Sequence, residues 1–290
     1  MAQEEAYEKI SATAKLVAHV RTFTDIPFAR EIATASGAKK YFQTLASKSV
    51  ETLIQLTPLW EARYKATDQI IAQHHITQVL EIAAGLSPRG LVMTADPDVV
   101  YVATDLPQVL EQEKAIAESI LATLNMHRPN LYFRIANALD REGLLQAATP
   151  FQSGRPIAVI TEGLLVYLTI AEKETLAGNV QDLLRQYGGI WITPDVGTTK
   201  QSWKDSYDNN IAQRAHNISS PIKRKIEKNT FEDENEMRQF FTRAGFTIEE
   251  YPHTNVQEHL SSIDRLNLNR EEILELLQLG KTLILTVCSG

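Results

Sequence analysis

Residues able to do chemistry recur along positions 79–168, each where a short apolar run gives out. Val79-Leu80-Glu81-Ile82-Ala83-Ala84-Gly85-Leu86-Ser87-Pro88 is an apolar strand candidate that carries an acid and runs into small residues. Small residues let a ligand approach the backbone; Ser87 suits a helix cap and Pro88 a first helical turn. Asp105 follows the run 99–104 and stands 24 positions after Glu81, near the spacing of about 20 expected of an acid that accepts hydrogen bonds from ribose hydroxyls. It also suits a cap for the helix that Pro107 would begin. Asn137 follows the run 131–136, and its amide supplies the donor and acceptor that an adenine edge requires. Asp140 reads as a cap for a helix starting at Arg141. Glu162 leaves the almost wholly apolar run 157–161. A carboxylate there is costly unless a cation meets it, either on a ligand or on a neighbouring helix.

The glycine pattern limits which nucleoside such a rim could hold. A dinucleotide pyrophosphate needs second and third glycines to reach a helix N-terminus. Here those positions are largely alanine and serine, and only Gly85 remains. That disfavours an NAD-dependent oxidoreductase. A sulfonium nucleoside, which has no phosphates, needs less glycine.

The elements that must position these residues alternate. Strands are expected at 79–84, 99–104, 131–136, 157–161, 189–193, 246–251 and 282–287, with helices at 106–124, 141–148, 170–187 and 231–244. Strands alternating with amphipathic helices imply a parallel α/β sheet, which binds ligands at the carboxyl ends of its strands. Residues 1–78 lack strand-like runs and read as helices, notably 44–55 and 59–73 with Pro58 leading. We therefore expect an N-terminal helical cap over 1–78 and a core over 79–290. The long polar stretch 196–230 reads as a lid insertion within that core.

Composition narrows the class further. The chain has 290 residues, 43% hydrophobic and 22% charged, with a formal net charge of −7. That balance lacks the basic footprint of a nucleic-acid binder. One cysteine, Cys288, cannot make an internal disulfide or a cysteine-rich zinc site. His74-His75 makes a poor metal site, because adjacent residues rarely converge on one ion, so no metal is expected. No run approaches the ~18 apolar residues of a membrane span, and the first residues are acidic rather than leader-like. A cytoplasmic protein without membrane association is expected.

Glu162-Gly163-Leu164-Leu165-Val166-Tyr167-Leu168, after an apolar strand, resembles the signature of the leucine carboxyl methyltransferase superfamily. The bacterial branch typified by the tetracenomycin polyketide O-methyltransferase is the most similar. Ser11–Lys15, Arg21–Ala29, Arg63–Asp68 and Asp105-Leu106-Pro107 also resemble segments of that branch, so the likeness runs over nearly the whole chain. It implies a Rossmann-like class I methyltransferase sheet of seven strands, the last inserted antiparallel, and S-adenosylmethionine as cofactor. On the same basis Arg63, with Lys65 as fallback, binds the methionine carboxylate. Gly85 packs against the methionine portion, Asp105 and its neighbour Leu106 hold the ribose side, and Asn137, Ala138 and Leu139 frame the adenine. Glu81 and Glu162 line the rim. Ala83 stands where relatives usually carry glycine, and Asn137 where several carry an acid.

The implied reaction is O-methylation of a small molecule. A carboxylate acceptor is already ionised, whereas a phenol of pKa about 10 benefits from a base. Tyr167, Asp195, His19 and His216 are the candidates beside the acceptor. The alternative readings are a protein that binds the cofactor without transferring its methyl group and the NAD-dependent oxidoreductase.

Overall fold

A computed structural model describes residues 14–44, 47–194, 196 and 229–288. Residues 197–228 of the lid expected at 196–230, together with Asp195, lie outside the described residues, and so does His216.

Seven strands form one sheet: β1 (Gln78–Ile82), β2 (Val100–Asp105), β3 (Leu131–Ile135), β4 (Ile157–Ile160), β5 (Gly189–Thr193), β6 (Phe246–Pro252) and β7 (Lys281–Val287). Their order is β3-β2-β1-β4-β5-β7-β6. The first five are parallel, and β7 runs antiparallel to both β5 and β6. This is the expected class. Strands β1 and β4 are buried along their whole length, which is why β4 reads as a continuous apolar run rather than an alternation, whereas β1 carries the buried Glu81. Gly189 is required where β5 meets β4: its φ is 110°, and a Cβ there would fall 1.9 Å from the Ile157 carbonyl oxygen.

The helices are α1 (Ala29–Ala35), α2 (Ala38–Phe42), α3 (Ser47–Gln55), α4 (Thr57–Gln73), α5 (Arg89–Met93), α6 (Pro107–Thr123), α7 (Arg141–Ala147), α8 (Ile170–Tyr187), α9 (Glu234–Arg243), α10 (Ser261–Arg265) and α11 (Arg270–Gln278). Residues 14–20 are helical as well. Helix α8 begins with the reciprocal cap that its sequence spells: Thr169 accepts from the Glu172 amide and Glu172 accepts from the Thr169 amide.

Two packed layers cover the sheet. Leu80, Ile82, Val102, Val159 and Trp191 face α7, α8 and α9. Val79, Tyr101, Ala103, Ile160 and Ile192 face α4, α10 and α11. Helix α4, read from sequence as part of the N-terminal helical unit, thus packs directly on the sheet through Ala62, Ala66, Ile70 and Ile71. Ala18, Ile32, Ala33 and Ala38 from the N-terminal segment join Leu86, Leu91, Ile116 and Ile120 in a further cluster beside the β1–α5 turn. Among the described residues no helix is long and apolar enough to cross a membrane.

Candidate active site

The turn after β1 is braced from β2. The Ala84 amide donates to the Thr104 carbonyl at 3.0 Å. Asp105 then accepts from the Gly85 amide at 3.0 Å and from the Leu106 amide at 2.7 Å. Ala83 (φ 57°) and Gly85 (φ 60°) both take the left-handed conformation, which costs an alanine about 1–2 kcal/mol and a glycine little. Each Asp105 oxygen accepts only one of these bonds, so lone pairs remain for a ligand's hydroxyls. Burial raises the Asp105 pKa, and the Leu106 and Gly85 amides partly offset this.

A buried charge cluster lies beside that turn. Arg89 is fully buried and reaches three carboxylates: Asp68 on α4 at 2.7 Å, Glu81 on β1 at 2.7 Å, and Glu162 after β4 at 3.2 Å. Its guanidinium lies over the Tyr64 ring, 4.3 Å from the centroid. Glu81 also accepts from the Tyr101 hydroxyl. Arg21 meets the other Glu162 oxygen at 3.1 Å and donates to the Leu86 carbonyl at 3.5 Å. Burial opposes ionisation of Glu162, yet Arg21, Arg89 and Arg63 outweigh it and hold the carboxyl at about 2. Burial dominates at Glu81, raising its pKa despite Arg89 and Tyr101.

Two arginine donors in this region are unused. The Nε atoms of Arg21 and Arg63 are both buried without a hydrogen-bond partner. A buried guanidinium N–H left unpaired costs about 1–3 kcal/mol or more, a cost that an acceptor reaching these atoms would offset. Lys65, the fallback, is committed elsewhere. Its ammonium bonds Asp25, Glu61 and the His259 carbonyl. Glu61, wholly buried, accepts from the Ser261 and Ser262 amides at 2.9 Å each. This second network ties residues 24–26 and α4 to α10.

The predicted adenine residues sit at the neighbouring strand tip. Ala136 donates its amide to the Asp105 carbonyl at 3.1 Å, so β3 ends beside Asp105. Asn137 is exposed, and its side-chain oxygen accepts from the Leu139 amide at 2.9 Å. Ala138 and Leu139 are half-buried.

Of the acceptor-side candidates, Tyr167 and His19 are among the described residues. Tyr167 is half-buried in the short 3₁₀ turn Leu165–Tyr167, and its carbonyl accepts from Asn229 at 3.1 Å. His19 packs on Phe23 and Phe42 in a small apolar cluster of the N-terminal segment. Burial, then Lys39, lowers its pKa.

Glu162 was expected to find its cation on the ligand or on a helix. Its counter-charges are Arg21, at the end of the N-terminal helical segment, and Arg89 on α5. Sequence reasoning gave neither arginine a role. The available signal was charge accounting: Glu81 and Glu162 both need buried cations, and Arg89 stands two residues past the turn's Ser87.

A family model described as leucine carboxyl methyltransferase matches residues 9–181. No curated protein matches the chain. Among solved structures, a putative methyltransferase from Thermobifida fusca YX is 18% identical, with a TM-score of 0.51 over 95% of this chain and 94% of that one. A DUF574 family protein from Streptomyces avermitilis MA-4680 is 14% identical, with a TM-score of 0.58 over 96% and 97%. The methyltransferase domain of bacterial CtHen1-CN is 13% identical, with a TM-score of 0.51 over 79% of this chain and all of that domain. These likenesses show a class I methyltransferase fold. Because the family model spans more than half of the sequence, the chain belongs to the leucine carboxyl methyltransferase family.

Proposed function

We propose that this protein is an O-methyltransferase that uses S-adenosylmethionine to methylate a carboxylate or hydroxyl oxygen of a small molecule. The observation that carries the reading is the pair of buried, unpartnered donors on Arg21 and Arg63, next to a turn braced by a strand-end acid. The donor set suits a zwitterionic nucleoside. Arg21 and Arg63 would take its carboxylate, and Asp105 would accept from its ribose hydroxyls. Leu106 would lie with Asp105 beside the ribose, and Asn137, Ala138 and Leu139 would frame its base. Gly85 presents backbone without a side chain, Glu162 would line the rim, and Glu81 would stand behind it in the buried cluster, its oxygens held by Arg89 and Tyr101.

When bound, the cofactor supplies an electrophilic methyl group on a positively charged sulfur. The protein's task is then to hold the acceptor oxygen in line and exclude water. Such positioning supplies roughly 7–11 kcal/mol of barrier lowering. Tyr167 and Asp195 are proposed to contact the acceptor. An ionised carboxylate acceptor needs no proton acceptor, whereas a hydroxyl acceptor would pass its proton to the Asp195 carboxylate, with Tyr167 hydrogen-bonding to the acceptor.

Titration calorimetry with S-adenosylhomocysteine, with NAD as control, tests the cofactor. A panel of carboxylic and phenolic acceptors with labelled methyl donor tests the transfer. Binding without transfer to any acceptor would leave a cofactor-binding protein; preference for NAD would overturn the reading.

A further inference from the structure

Arg89 has no route to a ligand, being fully buried with its guanidinium engaged on every side. Its partners nevertheless come from the elements that build the anion site. Asp68 lies five residues after Arg63 on α4, and Glu162 is the residue that Arg21 grips. Glu162 divides its two oxygens: Oε2 goes to Arg89 at 3.2 Å and Oε1 to Arg21 at 3.1 Å. Glu162 consequently holds Arg21 through Nη2 alone, while Nη1 reaches the Leu86 carbonyl and Nε stays unpartnered.

The alternative pairing is chemically strong. An arginine and a carboxylate prefer two parallel N–H···O bonds, the fork that uses both oxygens. Were Oε2 released, Glu162 could turn that fork onto Arg21 and occupy the Nε that the ligand requires. We propose that Arg89 is a positioning residue whose grip on one Glu162 oxygen prevents Glu162 from chelating Arg21, and so keeps the carboxylate-binding donor open. This rests on the proposed cofactor reading and adds the part that sets the site before any ligand arrives. Asp68 and Glu81 fix the orientation of the Arg89 fork, and the Tyr64 ring supports its face.

The test compares two nucleosides that differ in the methionine portion. S-adenosylhomocysteine carries the carboxylate; 5′-methylthioadenosine has the same nucleoside and thioether without it. Arg89→Met should weaken S-adenosylhomocysteine binding about tenfold, the scale of one charged hydrogen bond, and leave methylthioadenosine affinity unchanged. Because this change strands buried carboxylates at a cost to folding, Asp68→Ala provides the second variant. Asp68 is one-third exposed (34%), and its loss frees only one side of the Arg89 fork. It should give the same selective loss, about threefold, at intact secondary structure. Equal weakening of both nucleosides, or none of either, would reduce Arg89 to a structural ion pair. If the unmodified protein bound methylthioadenosine but not S-adenosylhomocysteine, the positioning role would fall while the nucleoside site stood. If it bound neither, the cofactor reading itself would fail, and the positioning role with it.

Discussion

Arg21 and Glu162 meet at 3.1 Å across 141 residues of sequence, with side chains only 7% and 9% exposed. The contact joins the N-terminal segment to the tip of the central strand β4. The N-terminal segment therefore supplies a charge to the proposed rim.

Replacing Arg63 by alanine should weaken S-adenosylhomocysteine binding by about 1.5–3 kcal/mol, the worth of a charged hydrogen bond. Arg21→Ala should do the same and also lower stability, because it leaves Glu162 with less compensation. Calorimetry and urea unfolding separate the two effects. Undiminished affinity in the Arg63 variant would remove it from the carboxylate site.

Lys65→Met should behave in the opposite sense. Its ammonium serves Asp25, Glu61 and the His259 carbonyl, so stability should fall by about 1–3 kcal/mol with cofactor affinity nearly unchanged. An affinity loss matching that of Arg63→Ala would return Lys65 to the binding site.

Glu113, on α6, is 6% exposed, and its Oε2 has no partner. It lines a pocket with Leu86, Ser87, Gly90, Ile116 and Phe133. Burial first, then Glu81 and Asp105, raises its pKa well above 4.5. The folded state therefore holds a proton that the unfolded chain releases, and stability declines as pH rises through the ordinary carboxylate range. Glu113→Gln should accordingly stabilise the protein at neutral pH, and the gain should disappear below about pH 4, where both states carry the proton. A variant less stable than the parent at pH 7 would contradict this.

His253 reports the reverse slope. It is 4% exposed, and its ring lies 3.1 Å from the Thr282 hydroxyl. Burial and then Arg63 lower its pKa from 6.5 to about 3, against an opposing contribution from Glu162. The unfolded chain binds the proton first on acidification. The stability due to neutral His253 is thus intact above 6.5 and is lost as pH falls from there toward about 3. His253→Gln should flatten the unfolding free energy across that window relative to the unmodified protein. Parallel pH curves for the two proteins would refute the assignment.

Much of the architecture was legible in the chain. The bounds of β5 and α8 agree with the sequence reading at both ends, and the other strands differ by no more than two residues at either end. Parallel strands buried on both faces are predominantly apolar, and the Gly188-Gly189 pair marks the kind of residue that fits against Ile157. The stretch between β6 and β7 was not legible. It holds α10 and α11, short helices whose packing against α4 depends on contacts over about 200 residues of sequence separation, such as Glu61 with Ser261 and Ser262.

The sequence by itself determined the strand–helix alternation, the membership of the family and the line of polar residues at the strand ends, because periodicity and local motifs are short-range properties. Only the tertiary structure decided which cation answers each buried carboxylate. It gave Glu162 to Arg21 and Arg89, withdrew Lys65 into another network, and left two arginine donors open. The physical reason is that a buried charge must be compensated by whatever the fold brings within about 3 Å, and sequence distance carries no information about that.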